Sequence, residues 1–161
     1  MSLLSPADQQ QLRESFASMA NPVRLLFFTQ SFDCETCLET KQILDELPPL
    51  SDKIIVEEVN FVLERERAAQ YAIDRAPGIA VVSEARADTI PAASLGSEPI
   101  GQISDSRIRF LGAPSGYEFM SLIHAVQLVG GARSSSLTAE SQKRVAAVDR
   151  QVMIKVFTTP T

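Results

Sequence analysis

Apolar residues recur along the chain with two periods, and the places where one period gives way to the other predict a succession of helices and strands. Leu12, Phe16 and Met19 stand at helical spacing behind Ser5-Pro6-Ala7-Asp8, which reads as an N-cap, a proline at the first helical position and an acid in the first turn. Asn21-Pro22 stops that helix. Val23-Arg24-Leu25-Leu26-Phe27-Phe28 is then a nearly continuous apolar run of the kind that becomes a buried strand. From Cys34 the pattern turns helical, with Cys37, Thr40, Leu44 and Leu47 on one stripe and Pro48-Pro49 ending the run. Ile54, Ile55, Val56 and Val59 predict a second strand, and the stretch from Glu64 to Ala72 a second helix. Ile79 to Val82 predicts a third strand behind Ala76-Pro77-Gly78, and Ile108, Phe110 and Gly112, alternating with Arg107 and Arg109, a fourth. Phe119, Met120, Ile123, Val126 and Leu128 supply the apolar face of a helix closed by Gly130-Gly131.

These elements divide the chain into a unit over residues 1–131 and a shorter segment over 132–161. Within the first, residues 83–106 are rich in Ala, Ser, Gly and Pro and exceed the usual connection of about four to six residues, which predicts an inserted, mobile loop. In the second, Thr138 caps a helix carrying Val145, Ala146 and Val148, and Val152-Met153-Ile154-Lys155-Val156-Phe157-Thr158 follows as a predicted strand. Helix and strand look like those of residues 5–29 used again, as the start of a second unit that stops short of its own cysteines. Chance likeness is the competing reading, because a helix followed by a strand is common.

Composition narrows the function. The 161 residues are 45% hydrophobic and 22% charged, in the range of chains that bury a core, and the formal charge of −5 disfavours a grip on nucleic acid. Polar Gln9, Gln10 and Gln11 follow the start with no basic region and apolar run of a secretory signal, and no stretch approaches the roughly 20 apolar residues of a membrane span. These features predict a cytoplasmic location, where thiols are kept reduced and a lone C-x-x-C is more often reactive than structural.

The chain has two cysteines, Cys34 and Cys37, in one C-x-x-C at a strand-to-helix junction. Free N–H groups and the positive end of a helix dipole stabilise a thiolate there, which makes Cys34 the expected nucleophile. Cys37, one turn further on, faces the core stripe and is the expected resolving thiol. Asp33 and Glu35, with Thr36 beside them, are candidate tuning residues: their carboxylates oppose the helix and predict a comparatively reducing couple. Zinc wants four ligands, and Cys34, Cys37 and the single His124 make at most three, so a zinc or iron-sulfur site would have to be shared between chains. That sharing and an inert pair remain open beside dithiol exchange. No metal or other cofactor is predicted. Pro77, about 40 residues after the dithiol, reads either as an ordinary trans proline opening a strand or as a cis turn that presents the backbone of Ala76 to an extended client chain.

Phe28-Thr29-Gln30-Ser31-Phe32-Asp33-Cys34-Glu35-Thr36-Cys37, Ile73-Asp74-Arg75-Ala76-Pro77 and Gly112-Ala113-Pro114-Ser115-Gly116-Tyr117-Glu118-Phe119 together resemble the N-terminal unit of the two-unit, glutaredoxin-like protein disulfide oxidoreductases. The resemblance implies an α/β, thioredoxin-like fold: a central mixed sheet flanked by helices, with an N-terminal helix and a C-terminal helix-strand extension. It implies that Cys34 attacks, that Cys37 resolves and that Pro77 is cis at the client-binding surface. The implied partners are protein disulfide or dithiol clients, a recycling reductase, and a second thioredoxin-like unit or a second copy of the chain. Two features depart from the family. Residues 83–106 are an unexpected insertion, and Arg75-Ala76-Pro77 replaces the Thr-Val-Pro that binds glutathione in classical glutaredoxins. The competing class is a non-catalytic thioredoxin-like binding or assembly module.

Overall fold

The hydroxyl of Ser5 accepts the Asp8 N–H at 3.2 Å and opens α1 (Pro6–Ala17), as the capping sequence requires. In the computed structural model, which describes residues 4–85 and 102–157, eight further α-helices and strands follow, with a short 3-10 turn at Pro48–Leu50 between the second and third of them: β1 (Val23–Thr29), α2 (Cys37–Asp45), β2 (Ile54–Asn60), α3 (Arg65–Gln70), β3 (Gly78–Ala85), β4 (Gln102–Leu111), α4 (Tyr117–Val129) and α5 (Ala139–Ala146). The strands form one mixed sheet in the order β2-β1-β3-β4. β1 runs parallel to β2 and antiparallel to β3, and β3 is antiparallel to β4.

The near-continuous apolar run of β1 follows from its place: it is an inner strand with both faces covered. Val23, Leu25 and Phe27 join Ile79 and Val81 beneath Phe16 of α1, Leu44 of α2 and Leu122, Ile123 and Val126 of α4. Leu26 and Phe28 point to the other face, where Ala80 and Val82 pack with Ala68, Tyr71 and Ile73 on and after α3. Alternation at a period of two therefore sorts one strand into two cores.

The second face carries charge as well. Arg24 of β1 pairs with Glu84 of β3 and, at 2.9 Å, with Glu57 of β2, and Glu57 also pairs with Arg67 of α3. On β4, Arg109 grips Asp105 through two nitrogens at 2.8 and 2.6 Å and lies over the Tyr71 ring, 5.6 Å from its centre. Burial pushes the Glu57 and Asp105 carboxyls up, but the guanidiniums beside them outweigh it and hold both below their ordinary values.

The sequence expectations are corrected at four places. α2 starts at Cys37, not at Cys34, because Asp33 and Thr36 take non-helical backbone angles. The inserted loop expected over 83–106 is shortened at both ends, since β3 runs on to Ala85 and β4 begins at Gln102, pairing as a hairpin; residues 86–101 lie outside the described residues. Met120 and Leu128 of α4 are exposed, because the buried stripe runs through Leu122, Ile123 and Val126. Finally, the helix expected after Thr138 forms as α5, yet residues 151–157 adopt no regular structure. A strand needs a neighbour to take its N–H and C=O groups, and no described strand pairs with this segment.

The depressed Glu57 carboxyl ties stability to pH. A group whose folded value lies below its unfolded value contributes stability that is complete above the unfolded value, here ordinarily 4.5, and lost as the pH falls through the folded one. Urea denaturation of the wild type and of Glu57→Gln from pH 7 to pH 2 should show the variant less stable at pH 7 and the gap closing in acid. An equal gap at every pH contradicts this reading.

Candidate redox site

β1 ends at Thr29, whose carbonyl accepts the Phe61 N–H at 2.9 Å, and the chain then leaves the sheet over the end where β1 and β2 finish. Gln30 donates from its side chain to the Asp33 carbonyl at 3.3 Å, and Asp33 takes a φ of 54°, in the left-handed region that Asp tolerates better than most residues. That turn sets Cys34 just ahead of α2. Cys34 is half-buried and Cys37, the first residue of the helix, is 7% exposed. The two are joined as a disulfide with Cα atoms 5.5 Å apart.

Thr36 is the N-cap residue of α2 and belongs to a type that usually caps with its hydroxyl. Its φ of −103° and ψ of 3° depart from the extended geometry that capping needs, and no side-chain cap forms. The first N–H groups of α2 therefore meet no capping hydroxyl on the side where Cys34 stands, which is the condition under which a helix start favours an anion.

The second feature of the site arrives from β3. The Ala76–Pro77 peptide is cis, Pro77 is buried and Ala76 half-buried. Gly78, which opens β3, stands opposite Phe28 of β1 on one side and Leu111 of β4 on the other. An added Cβ there would meet Ile73 at 2.7 Å and the Arg75 carbonyl at 3.0 Å, so the close turn demands glycine. The Pro77 carbonyl accepts the N–H of Gly112, itself at a φ of 116°, at 2.9 Å. Three loops, those of the cysteines, of Pro77 and of Gly112, thus meet at one end of the sheet.

The candidates of the sequence separate on this frame. Cys34, Cys37, Ala76 and Pro77 come to the same end. Asp33 and Glu35 are exposed there, and Asp33 acts visibly through its backbone turn. His124 is exposed on α4, and no group of three or more His, Cys, Asp or Glu able to hold a metal occurs among the described residues. Sequence reasoning missed Thr40, a buried hydroxyl on the apolar stripe of α2, and the bulky exposed side chains Phe32 (84%), Leu38 (68%) and Tyr117 (87%). Their signal was present: a threonine in an apolar stripe, and large side chains at Phe32 before the motif, at Leu38 just after it and at Tyr117 at the start of α4.

No protein-family model and no curated protein matches the sequence. Solved structures do match. The NTD_N/C domain of alkylhydroperoxide reductase AhpF from Enterococcus faecalis superposes with a TM-score of 0.71 at 28% identity, over 91% of this chain and 62% of that one. A mutant of AhpF from the same organism gives 0.69 at 29%, over 89% of this chain and 60% of that one. The fold is that of the thioredoxin superfamily. A protein disulfide oxidoreductase from Aeropyrum pernix shares it with a TM-score of 0.64 at 18% identity, over 89% of this chain and 54% of that one. The chain therefore spans less than two thirds of the length of the structures it matches. On this fold the dithiol follows the first strand, the cis proline precedes the third, and a glycine loop is tied to that proline.

Proposed function

We propose that the chain is a thiol-disulfide oxidoreductase acting on protein disulfides, with Cys34 as nucleophile and Cys37 as resolving thiol. The observation that carries this reading is the Cys34–Cys37 disulfide itself, with Cys34 the less buried residue of the pair, at the same end of the sheet as the cis Ala76–Pro77 bond. In the reducing direction the Cys34 thiolate attacks one sulfur of a client disulfide. A new S–S bond forms to Cys34, the client S–S bond breaks, and the departing client thiolate takes a proton. The Cys37 thiolate then attacks the Cys34 sulfur and expels the second client thiolate, which is protonated in turn. Two electrons and two protons reach the client, and Cys34–Cys37 is left oxidised.

The cycle needs two electrons from outside. The matched Enterococcus structures are described as parts of an alkylhydroperoxide reductase, and that supports a redox partnership with a reductase unit as the source. A client chain extended along the backbone of Ala76 would pair by strand addition, with Phe32, Leu38 and Tyr117 as apolar contacts. Exposed Asp33 and Glu35 oppose thiolate formation, which supports a comparatively reducing couple in a cytoplasmic setting. No helix among the described residues is long and apolar enough to cross a membrane.

Residues 132–161 we read as the start of a second thioredoxin-like unit. Thr138 caps α5 by accepting the Ser141 N–H at 3.2 Å, and Val152, Met153, Ile154, Val156 and Phe157 then stand 60–89% exposed, a strand-like row without a partner. That row, a binding surface in its own right, also supports a part in assembly with a second unit or a second copy.

Reduction of insulin disulfides separates catalysis from a pure binding role. The wild type should accelerate precipitation and Cys34→Ser should fall to the uncatalysed rate; equal rates contradict the proposal. Light scattering across a concentration series should show the chain associating, and Ile154→Lys with Val156→Glu should hold it monomeric. A wild type that stays monomeric throughout contradicts association through this segment.

A further inference from the structure

Thr40 is the one buried polar side chain among the described residues, at 0% exposure. It lies a turn beyond Cys37 on α2. Its hydroxyl donates to the Thr36 carbonyl oxygen at 2.8 Å, and its own N–H reaches the same oxygen at 2.9 Å. That oxygen belongs to the amide joining Thr36 to Cys37, which lies inside the ring the disulfide closes. A fully buried hydroxyl therefore grips a peptide group of the redox motif.

Hydrogen bonds in a chain polarise one another. Two donors on one carbonyl draw electron density to its oxygen and leave the other end of that amide, the Cys37 N–H, more positive. This N–H is the first of α2 and has no acceptor within the helix, and the Thr36 hydroxyl forms no cap over it. It opens toward the N-terminal side of α2, the side of Cys34. The same grip fixes the plane of the amide and with it the direction of the donor. A threonine bonded back to the carbonyl four residues earlier is otherwise a neutral or slightly unfavourable helix feature, used to satisfy a buried hydroxyl. On that plain reading its loss changes stability alone. Here the carbonyl is that of the N-cap residue between the two cysteines, and its loss has a second consequence.

We propose that Thr40 is a positioning residue: acting through the Thr36 carbonyl, it sets the Cys37 amide as the donor that stabilises the Cys34 thiolate, and so makes the couple more oxidising. The proposal rests on the reading of Cys34 as nucleophile. It gives Thr40 the opposite sign to Asp33 and Glu35, so the poise of the couple is a balance between a buried hydroxyl and exposed carboxylates.

The test measures the full chain in two ways, by ultraviolet titration of the Cys34 thiolate and by equilibrium of the Cys34/Cys37 couple with glutathione buffers. Thr40→Val keeps the volume and removes the hydroxyl. It should move thiolate formation to higher pH and shift the equilibrium toward the disulfide by about threefold to tenfold, the size of one lost hydrogen bond. Thr40→Ser, which restores the hydroxyl, should return both readouts to wild type. If Thr40→Val does not fold, Thr40→Ala carries the same expectations. A hydroxyl-free variant that titrates and equilibrates as wild type, whatever its melting temperature, overturns the proposal, and so does a serine variant displaced as far as valine. Insulin reduction by the wild type is read alongside. A wild type inactive there overturns the proposed function, whereas the role of Thr40 is decided by the titration and the equilibrium.

Discussion

The pairing of β1 with β3 is the constraint on which the rest of the molecule depends. Phe28 stands opposite Gly78, so the loop that leaves β1 and the turn that enters β3 are held at one end of the sheet. A slip of one residue would turn Leu26 and Phe28 out of one core and Leu25 and Phe27 out of the other, because neighbouring side chains on a strand face opposite ways. Each such large side chain stabilises by about 1.5–3 kcal/mol when fully buried, so the register is held by many times the thermal energy. Chemistry that needs a cysteine pair beside a proline turn is thereby placed by packing, at a distance from the reacting atoms.

At that end of the sheet the local structure leaves certain groups unspent. Thr36 has the side chain of a helix cap but not its backbone geometry, and its hydroxyl takes none of the donors of the first turn of α2. The Pro77 carbonyl is occupied by Gly112, which ties the third loop to the second, while Ala76 stays half-buried at the surface. Phe32 and Leu38, which flank the dithiol in sequence, and Tyr117 at the start of α4 are left in solvent. The surface depressions lined by Arg13 and Pro48 and by Val62 and Gln70 include none of these residues.

Much of this was legible in the residues because local pattern and tertiary role coincide. Continuous apolar residues in 23–28 mean an inner strand, and Ser5-Pro6 means a helix start, whatever the rest of the chain does. The C-x-x-C was legible as a short motif, whereas Pro77, which the residues themselves left open between a trans and a cis bond, was legible as its companion through the family resemblance. What escaped depended on partners distant in sequence or on backbone angles. The start of α2 moved from Cys34 to Cys37 because of two dihedral choices at Asp33 and Thr36 that composition does not encode. The arms of the β3–β4 hairpin read as a loop because Ser and Ala carry little strand signal, and only the ladder between Val82–Ala85 and Gln102–Asp105 makes them strands. Residues 152–157 show the converse, a strong strand pattern with no neighbour to pair with.

The proposed function stands on one covalent event, the attack of Cys34 on a client disulfide, and that event can be caught. Removing the proposed resolving thiol with Cys37→Ser should stop the exchange at its mixed-disulfide intermediate. Peptide mass mapping of the adduct formed with a disulfide-containing client protein should then find the client cysteine bonded to Cys34. The absence of any adduct from the reduced variant, when the wild type becomes oxidised by the same client, would contradict the account.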